Sequence, residues 1–533
     1  MYRLFFLIKQ ITLTIFAVLL SCSLVLVGCV SWPLPEAPGP ASTAALLLDN
    51  VSIVDVETGQ IHPHQAVWID KGRINKITAS EAVAANSSTA IRTELMADGR
   101  LKVHTGGRFL MPGLSDMHTH SLQLSPQLHH PLWIAAGVTA VRDLSGCMLQ
   151  PDSFQACTSD RKRWQQELKA AKRTSPNYWV HSSYQLNGGS EVPEDYPAFF
   201  KLQSPADARA LVAYYKAQGT DFIKVYEKLS LQQYQWLVAA AKEADMALAG
   251  HQPWLVPFSL MLEAGQRSVE HGRVFIFECA DAIKTYKQQA LNRSFQPEQW
   301  RELLQSQNPV LCQQLMQQMA SSNTWWSPTL LTLQLGAKAG DPEFRQDQRL
   351  KYVPYLLQSL WQGDADAMLE HAYDANGLNV HAELLELAQQ QLKQARQTGV
   401  KILAGTDTPD SFVFAGSGLH DELALYQQAG LTPLEVIQTA TVNPAVFTGM
   451  AAETGSVAVG KRADLLLLNH NPLLDLATMR QPEAVVLAGH WYPKASLQQL
   501  EAFAEEQANS VRLNLHLLWD MLASPAMRQQ FAD

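Results

Sequence analysis

Six side chains able to hold metal ions recur at similar places along the 533-residue chain. In Asp116-Met117-His118-Thr119-His120 two histidines stand two apart. In an extended segment such a pair faces one side, so both imidazoles can reach one cation. His251 ends a short apolar run, and His271 ends the next, in Val269-Glu270-His271-Gly272. Asp407 ends another, in Ala404-Gly405-Thr406-Asp407, and Lys224 lies within Asp221-Phe222-Ile223-Lys224-Val225-Tyr226. Imidazole and carboxylate suit zinc and related divalent ions. Each residue also has an ordinary reading. A lone histidine pair is more often surface or core, Asp407 could cap a turn, and Lys224 could be a buried stem with a snorkelling head or an Asp221 partner.

The elements that would position these residues weigh against the ordinary readings. Short strands are expected at 114–118, 138–143, 178–182, 222–226, 247–251, 268–271, 325–330 and 400–407, with helical stretches between several of them. Ser204-Pro205-Ala206-Asp207 reads as an N-cap with proline in first position, opening a helix to Gln218. A second amphipathic helix runs over 231–244. Strands alternating with helices indicate an α/β fold of the (β/α)8 TIM-barrel type, whose sites gather at the C-terminal ends of the strands. That is where the six candidates fall. A doubly wound sheet is the alternative, but no Gly-rich phosphate loop follows the first strand. Strand-like pieces at 44–48, 51–54, 65–69 and 73–77, with others at 463–468 and 483–488, suggest a small β-sandwich built from both chain ends. The expected organisation is a leader (1–28), a Pro-rich tether (29–43), an N-terminal β-sandwich segment (44–108), a barrel (109–454), a C-terminal β-sandwich segment (455–495) and a helical tail (496–533). The stretches 281–319 and 336–381 read as helical insertions or lids, and the tail carries no functional reading.

Taken together, several motifs resemble the amidohydrolase superfamily, most closely its prolidase-like and imidazolonepropionase-like members. They are Met111-Pro112-Gly113-Leu114 running into His118 and His120, Ile223-Lys224-Val225-Tyr226, Ser268-Val269-Glu270-His271, Ala404-Gly405-Thr406-Asp407, Leu419-His420-Asp421-Glu422-Leu423, and Gly455-Ser456-Val457 through Gly460-Lys461-Arg462-Ala463-Asp464-Leu465. The resemblance implies that His118 and His120 hold one metal ion with Asp407, that His251 and His271 hold a second, and that Lys224, carboxylated by CO2, bridges both. A carbamate is an anionic oxygen ligand, and its formation needs a neutral amine, which burial favours. The implied cofactors are two divalent ions, zinc first, plus the carbamate. The implied chemistry is hydrolysis by a metal-bridging hydroxide, with Asp407 moving the proton to the leaving group.

Tyr226 shares a strand face with Lys224 and should meet the substrate. Arg142 is a candidate carboxylate clamp, with an internal ion pair as the alternative, and His420 is a third candidate contact. Of the other histidines, His62, His64, His129, His130, His470 and His490 read as ordinary residues. His251-Gln252-Pro253-Trp254 lacks the acidic neighbour typical of deaminase relatives. Lys224 argues against imidazolonepropionase itself, which resembles a one-metal enzyme. A small amide or peptide, a dipeptide or an N-acyl amino acid, is the leading substrate. The alternatives are a cyclic amide, a lactam or a phosphotriester, and, from a different class, a non-catalytic lipoprotein using the barrel to bind a small ligand.

Arg3 and Lys9 precede an apolar run over 11–27 that ends in Leu26-Val27-Gly28-Cys29. This is the pattern of a secretory signal, and it resembles the bacterial lipobox, which implies diacylglycerol on Cys29. An uncleaved anchor is the other reading. Either exports the body to the cell envelope. With Val30 after Cys29, the resemblance points to lipid anchoring at the outer membrane, facing the periplasm. Export permits disulfides. Cys147 with Cys157 is the first pairing and Cys279 with Cys312 the second, and no C-x-x-C is present. A net charge of −9 and the absence of any basic stripe exclude a nucleic-acid partner. A homo-oligomer is compatible with the chain.

Overall fold

Leu46–Val54 (β1) is buried at every position, as suits an apolar strand paired on both edges. It pairs antiparallel with Ile61–Asp70 (β2), which pairs with Arg73–Ala79 (β3). On its other edge it runs parallel first to Leu101–His104 and then to Phe109–Pro112. With Arg92–Leu95 as β4, these two strands are β5 and β6. The sequence reads Asp49-Asn50 as a turn dividing two strands. The structure keeps one strand and absorbs the break in a register shift at Asn50, which sits at φ 62° with its side-chain oxygen 2.9 Å from His64 Nδ1. Asparagine tolerates this left-handed conformation.

The computed structural model describes residues 33–40, 45–81, 90–290 and 295–532. The expected leader and the lipidation site Cys29 lie outside the described residues. Among those described, no helix is long and apolar enough to cross a membrane.

The centre of the chain is parallel. Leu114–Thr119 (β7), Val138–Asp143 (β8) and Asn177–His181 (β9) form one sheet. Phe222–Val225 (β10), Ala247–Gly250 (β11), Ser268–Glu270 (β12), Trp325–Ser327 (β13) and Lys401–Ile402 (β14) form another. Isolated parallel bridges join them at both margins: Ser182 with Phe222 beyond β9, and Thr119 with Thr408 beyond β14. The result is an α/β fold around a curled parallel sheet. All eight expected strands have a counterpart, although the last shrinks to two residues. Beyond Ile402 the chain leaves regular pairing to pass close to His118.

Helices cover the outer face. Pro205–Ala217 starts at Ser204, whose hydroxyl accepts from Asp207 N at 3.2 Å. Leu231–Glu243 starts with a capping box of Ser230 and Gln233. The first start matches the N-cap read in the sequence, and the second falls where the amphipathic stretch is expected to begin. The expected insertions are helical: Ile283–Ala290, Pro297–Gln305 and Pro309–Ser321, then Tyr355–Glu370 and neighbours. Both cysteine pairs are bonded, Cys147 to Cys157 and Cys279 to Cys312. Leu465–Leu468 (β15), Ala484–Leu487 (β16) and His490–Pro493 (β17) return to the first sheet, where β15 pairs antiparallel with β6. Both chain ends thus share one nine-stranded sheet. Its own apolar cluster includes Leu48, Val67, Leu465 and Trp491.

Residues 33–40, expected as a spacer, run against the body. Pro38 O accepts from Thr174 Oγ1 at 2.7 Å, Glu36 pairs with Arg173 at 2.6 Å, and Leu34 packs on Leu124, Leu513 and Leu517.

Candidate metal centre

Strand β7 ends in a rigid, buried corner. Asp116, fully buried, accepts from Thr406 Oγ1 at 2.7 Å, Thr406 N at 3.0 Å and His118 N at 3.3 Å. Asp407 N donates to His118 O at 2.8 Å. Between these contacts lies Gly405, where a Cβ would come within 2.7 Å of His118 Cβ and 2.6 Å of Ser327 Oγ. No larger residue fits unless the histidine moves. Asp407 and His271 have φ of 71° and 72°. Left-handed backbone at a non-glycine residue is strained and gathers at functional sites. Here it turns both side chains toward β7.

The five imidazole and carboxylate candidates converge. Asp407 Oδ1 lies 2.9 Å from His120 Nε2 and 3.1 Å from His118 Nε2, and these two nitrogens are 3.3 Å apart. Beside them, His251 Nε2 and His271 Nε2 face each other at 2.9 Å, with Asp407 Oδ2 3.7 Å from His271 Nδ1. Ligand atoms of His118, His271 and Asp407 all lie within 4.8 Å of one another.

Hydrogen bonding settles which nitrogens carry lone pairs. His118 Nδ1 faces Glu270 Oε2 at 3.1 Å, and His251 Nδ1 faces Glu227 Oε1 at 3.2 Å. A carboxylate only accepts, so each Nδ1 carries the proton and each Nε2 presents its lone pair inward. Each of these lone pairs can be met by an N–H of the facing ring, His120 or His271, or by a cation between the two nitrogens. Two metal–nitrogen bonds of about 2.0–2.1 Å in tetrahedral geometry hold their nitrogens about 3.3 Å apart. The donor set and its spacing therefore fit divalent ions.

Charge state agrees for His120, His251 and His271. Burial lowers His120 to about 4, with the Lys224 charge adding to it, and burial lowers His251 and, much further, His271. Burial also lowers His118, but Asp407 and Glu270 outweigh it and hold the ring above its usual value. Burial pushes Asp407 up, yet the surrounding imidazoles win and keep it well below the carboxylate range. Lys224 is fully buried, and among the described residues it has no carboxylate within ion-pair distance. Burial brings it down to about 8 against the pull of Asp407 and Glu270. A neutral amine is within easy reach there. Its charge is felt at both His120 and His251, so it stands near both nitrogen pairs.

The other expected contacts divide. Tyr226 packs at a tilt against His251, 4.0 Å between ring centroids, and lines the cavity. Arg142 is not brought to the cavity. It is 1% exposed, and its guanidinium is committed to Met117 O (2.5 Å), Ser268 Oγ (2.8 Å) and Glu270 Oε2 (2.8 Å). This is the internal-pair alternative. His420 is buried, with Nε2 2.8 Å from Ala136 O, and is not among the cavity-lining residues. Burial pushes Glu270 up, but Arg142 and His118 outweigh it and hold it at about 2. Glu270 and Glu227, which orient His118 and His251, are not singled out by the sequence. Glu270 stands beside His271 in the Ser268-Val269-Glu270-His271 motif, but only tertiary contact shows that it serves the histidine of another strand.

A cavity of about 550 Å³ opens over the centre, a size suited to a small-molecule ligand. Asp407, Lys224, His120, His251 and His271 form its floor, and Trp254, Phe277 and Leu357 give it apolar walls. Arg273 and Asp410, also missed in sequence, line it too. Arg273 is exposed and has no carboxylate within ion-pair distance among the described residues. Asp410 is raised to about 7 by burial and by Asp407.

Comparison with known proteins gives a consistent background. The amidohydrolase family model matches residues 358–492, a segment that holds Asp407 but none of the other five candidate ligands. Ochratoxinase of Aspergillus niger is 37% identical over 108 residues, which is 20% of this chain and 22% of that protein. The chain thus spans about a fifth of the length of the curated relatives it matches. Among solved structures, bottromycin amidohydrolase superposes with a TM-score of 0.64 at 21% identity, covering 91% of this chain and 94% of that one. A Xaa-Pro dipeptidase with bound methionine in its active site superposes at 0.56 and 17% identity, covering 84% of this chain and 100% of the other. These two likenesses show a shared fold. The family match is thus to one segment of the chain, and the likeness to the solved structures is one of fold.

Proposed function

We propose that the protein is a binuclear metal-dependent hydrolase that cleaves amide bonds in small carboxylate-bearing substrates, either dipeptides or N-acyl amino acids. The observation that carries this reading is the pair of facing Nε2 couples around Asp407, with the buried, unpaired Lys224 beside both. The amidohydrolase match and the hydrolase relatives support carbon–nitrogen bond cleavage. The two margin bridges support reading the eight parallel strands as one (β/α)8 barrel over 109–454. The branched nine-stranded sheet supports a sandwich built from 44–108 and 455–495. The leader and Cys29 make the protein an envelope lipoprotein of the outer membrane, facing the periplasm.

In this reading His118, His120 and Asp407 would hold one ion, His251 and His271 would hold the other, and Lys224 as its carbamate would add an anionic oxygen ligand, zinc being the ion that the donors suit best. Bound divalent ions supply a water-derived nucleophile at neutral pH and polarise a carbonyl. Asp407, held ionised by the surrounding imidazoles, is placed to accept the attacking water's proton and pass it to the leaving nitrogen. Glu270 and Glu227 fix the tautomers of His118 and His251. The aromatic walls exclude water and hold an apolar side chain.

Arg273 takes the role first expected of Arg142. It lines the cavity two residues beyond His271 and its charge is not spent within ion-pair distance among the described residues. A guanidinium grips a carboxylate through two parallel hydrogen bonds. Arg273→Gln should raise KM for an N-acyl amino acid about 10–100-fold, the worth of a charged hydrogen bond. The matching amide-capped substrate should change far less. Steady-state kinetics on the two substrates checks this, and equal losses on both would remove Arg273 from substrate recognition. A panel of dipeptides, N-acyl amino acids, lactams and phosphotriesters tests the reaction class. Turnover confined to phosphotriesters would contradict it.

A further inference from the structure

The C-terminal helix Val511–Ala523 is apolar over more of its circumference than its packing uses. Leu513, Leu517 and Met521 face inward, where they meet Leu124, Leu128 and Leu34. Arg512, His516 and Asp520 form a narrow polar strip. The remaining arc, about 100° wide at 100° per residue, carries Val511, Leu515, Leu518, Trp519 and Leu522. Four of these are well exposed, at 76%, 40%, 49% and 57% for Val511, Leu518, Trp519 and Leu522. A surface helix with a second apolar face and an exposed tryptophan is built to meet something apolar.

The N-terminal segment indicates what that is. Arg512 donates to Pro33 O at 2.7 Å, and Leu34 packs into the helix's own cluster. The described chain therefore begins beside this helix. Cys29 is four residues away, a reach of at most about 14 Å, and the apolar run over 11–27 lies just before it. Either an acylated Cys29 or an uncleaved apolar anchor would fasten the body to a bilayer beside this helix. Tryptophan favours the membrane–water interface. Arg528, at the far end, is exposed and donates to the carbonyls of Leu522 and Ala523, where it would meet headgroups.

We propose that the Val511–Leu522 face is a bilayer-contact surface that seats the anchored protein on its membrane in a fixed orientation. This inference rests on the reading of the N-terminus as a membrane anchor. It is independent of the metal centre, but it bears on how that centre is reached. Met527, on the following helix Pro525–Ala532, lines the catalytic cavity together with Leu357. The contact face and the cavity wall thus belong to consecutive helices, and amphiphilic acyl substrates would meet the cavity next to the membrane.

The test uses the full chain, purified from membranes and reconstituted into phosphatidylethanolamine–phosphatidylglycerol vesicles with or without brominated acyl chains. Bromine quenches tryptophans that enter the interface. The chain has 13 tryptophans, so the parent should lose an extra share of emission on the order of one thirteenth relative to Trp519→Phe. Trp32 is common to both proteins and cancels. Equal quenching in parent and variant overturns the proposal. So does a parent dimer in detergent that Leu522→Glu dissociates without any quenching difference, which would make the face a contact between copies. The mass of the N-terminal peptide reports acylation of Cys29 separately. A quenched Trp519 with an unmodified Cys29 keeps the contact face and rejects the lipoprotein reading, whereas an acylated Cys29 with an unquenched Trp519 rejects the face.

Discussion

Asparagine in place of Asp407 is expected to leave the fold intact and to lower kcat/KM by about 10²–10⁴-fold, the usual weight of a positioned acid–base group. The fold should survive because residue 407 sits at φ 71°, a conformation that asparagine adopts about as readily as aspartate. The backbone bond from residue 407 N to His118 O, 2.8 Å in the parent, does not involve the side chain. What changes is charge and proton affinity. In the parent a carboxylate oxygen lies 2.9 Å from His120 Nε2 and 3.1 Å from His118 Nε2, and an amide can neither take up a proton at that point nor supply an anionic ligand. Steady-state kinetics beside a thermal melt checks this. Activity within about threefold of the parent would show that Asp407 is not the proton carrier; loss of both the melt and the activity would call for Asp407→Glu as the second variant.

The second large effect is one of stability. Glu270 is 3% exposed and neutralises the buried guanidinium of Arg142 at 2.8 Å while holding His118 at 3.1 Å. Glu270→Gln keeps the shape but leaves Arg142 charged and unpaired. Removing one partner of a buried pair costs about 3–5 kcal/mol. Loss of the carboxylate behind His118 should weaken metal binding about 10–100-fold as well. The pH dependence carries a sign. Although burial raises it, the net folded-state pKa of Glu270 is about 2, below the ordinary glutamate value of 4.5. Its contribution is therefore fully present above about pH 4.5 and is lost as pH falls toward 2. Denaturant titrations of metal-free protein should show a steeper loss over that window in the parent than in Glu270→Gln. Identical profiles would mean that another group dominates acid unfolding.

Strand ends were the most legible feature of this sequence. His118, His251, His271 and Asp407 each close an apolar run, and a parallel sheet gathers such ends into one place whatever the loops between them do. The helix start at Ser204 was legible from its local capping chemistry, and the helix from Leu231 from its amphipathic pattern. What stayed hidden depends on contacts across the fold. Arg142 and Glu270 are 128 residues apart, and only the curled sheet reveals that each satisfies the other. Arg273 looks like an ordinary helix-opening arginine until the structure shows that it lines the cavity with the candidate ligands. The shortened β14 has a similar origin. A run over 400–407 suggests a full strand, but Gly405 must pass against His118, and Asp407 must turn through a left-handed conformation to reach the histidines. Asn50 misled in the opposite sense, because a turn-forming residue was accommodated within one strand as a register shift.

The central claim is a lysine-bridged pair of ions, and counting ions tests it most directly. The full chain, purified without chelators and with bicarbonate present, should contain about two divalent ions per chain by elemental analysis, as two-metal hydrolases do. Lys224→Ala prepared in parallel should contain fewer. A single ion in both proteins would contradict the bridged centre and leave Lys224 as a buried lysine without a ligand role.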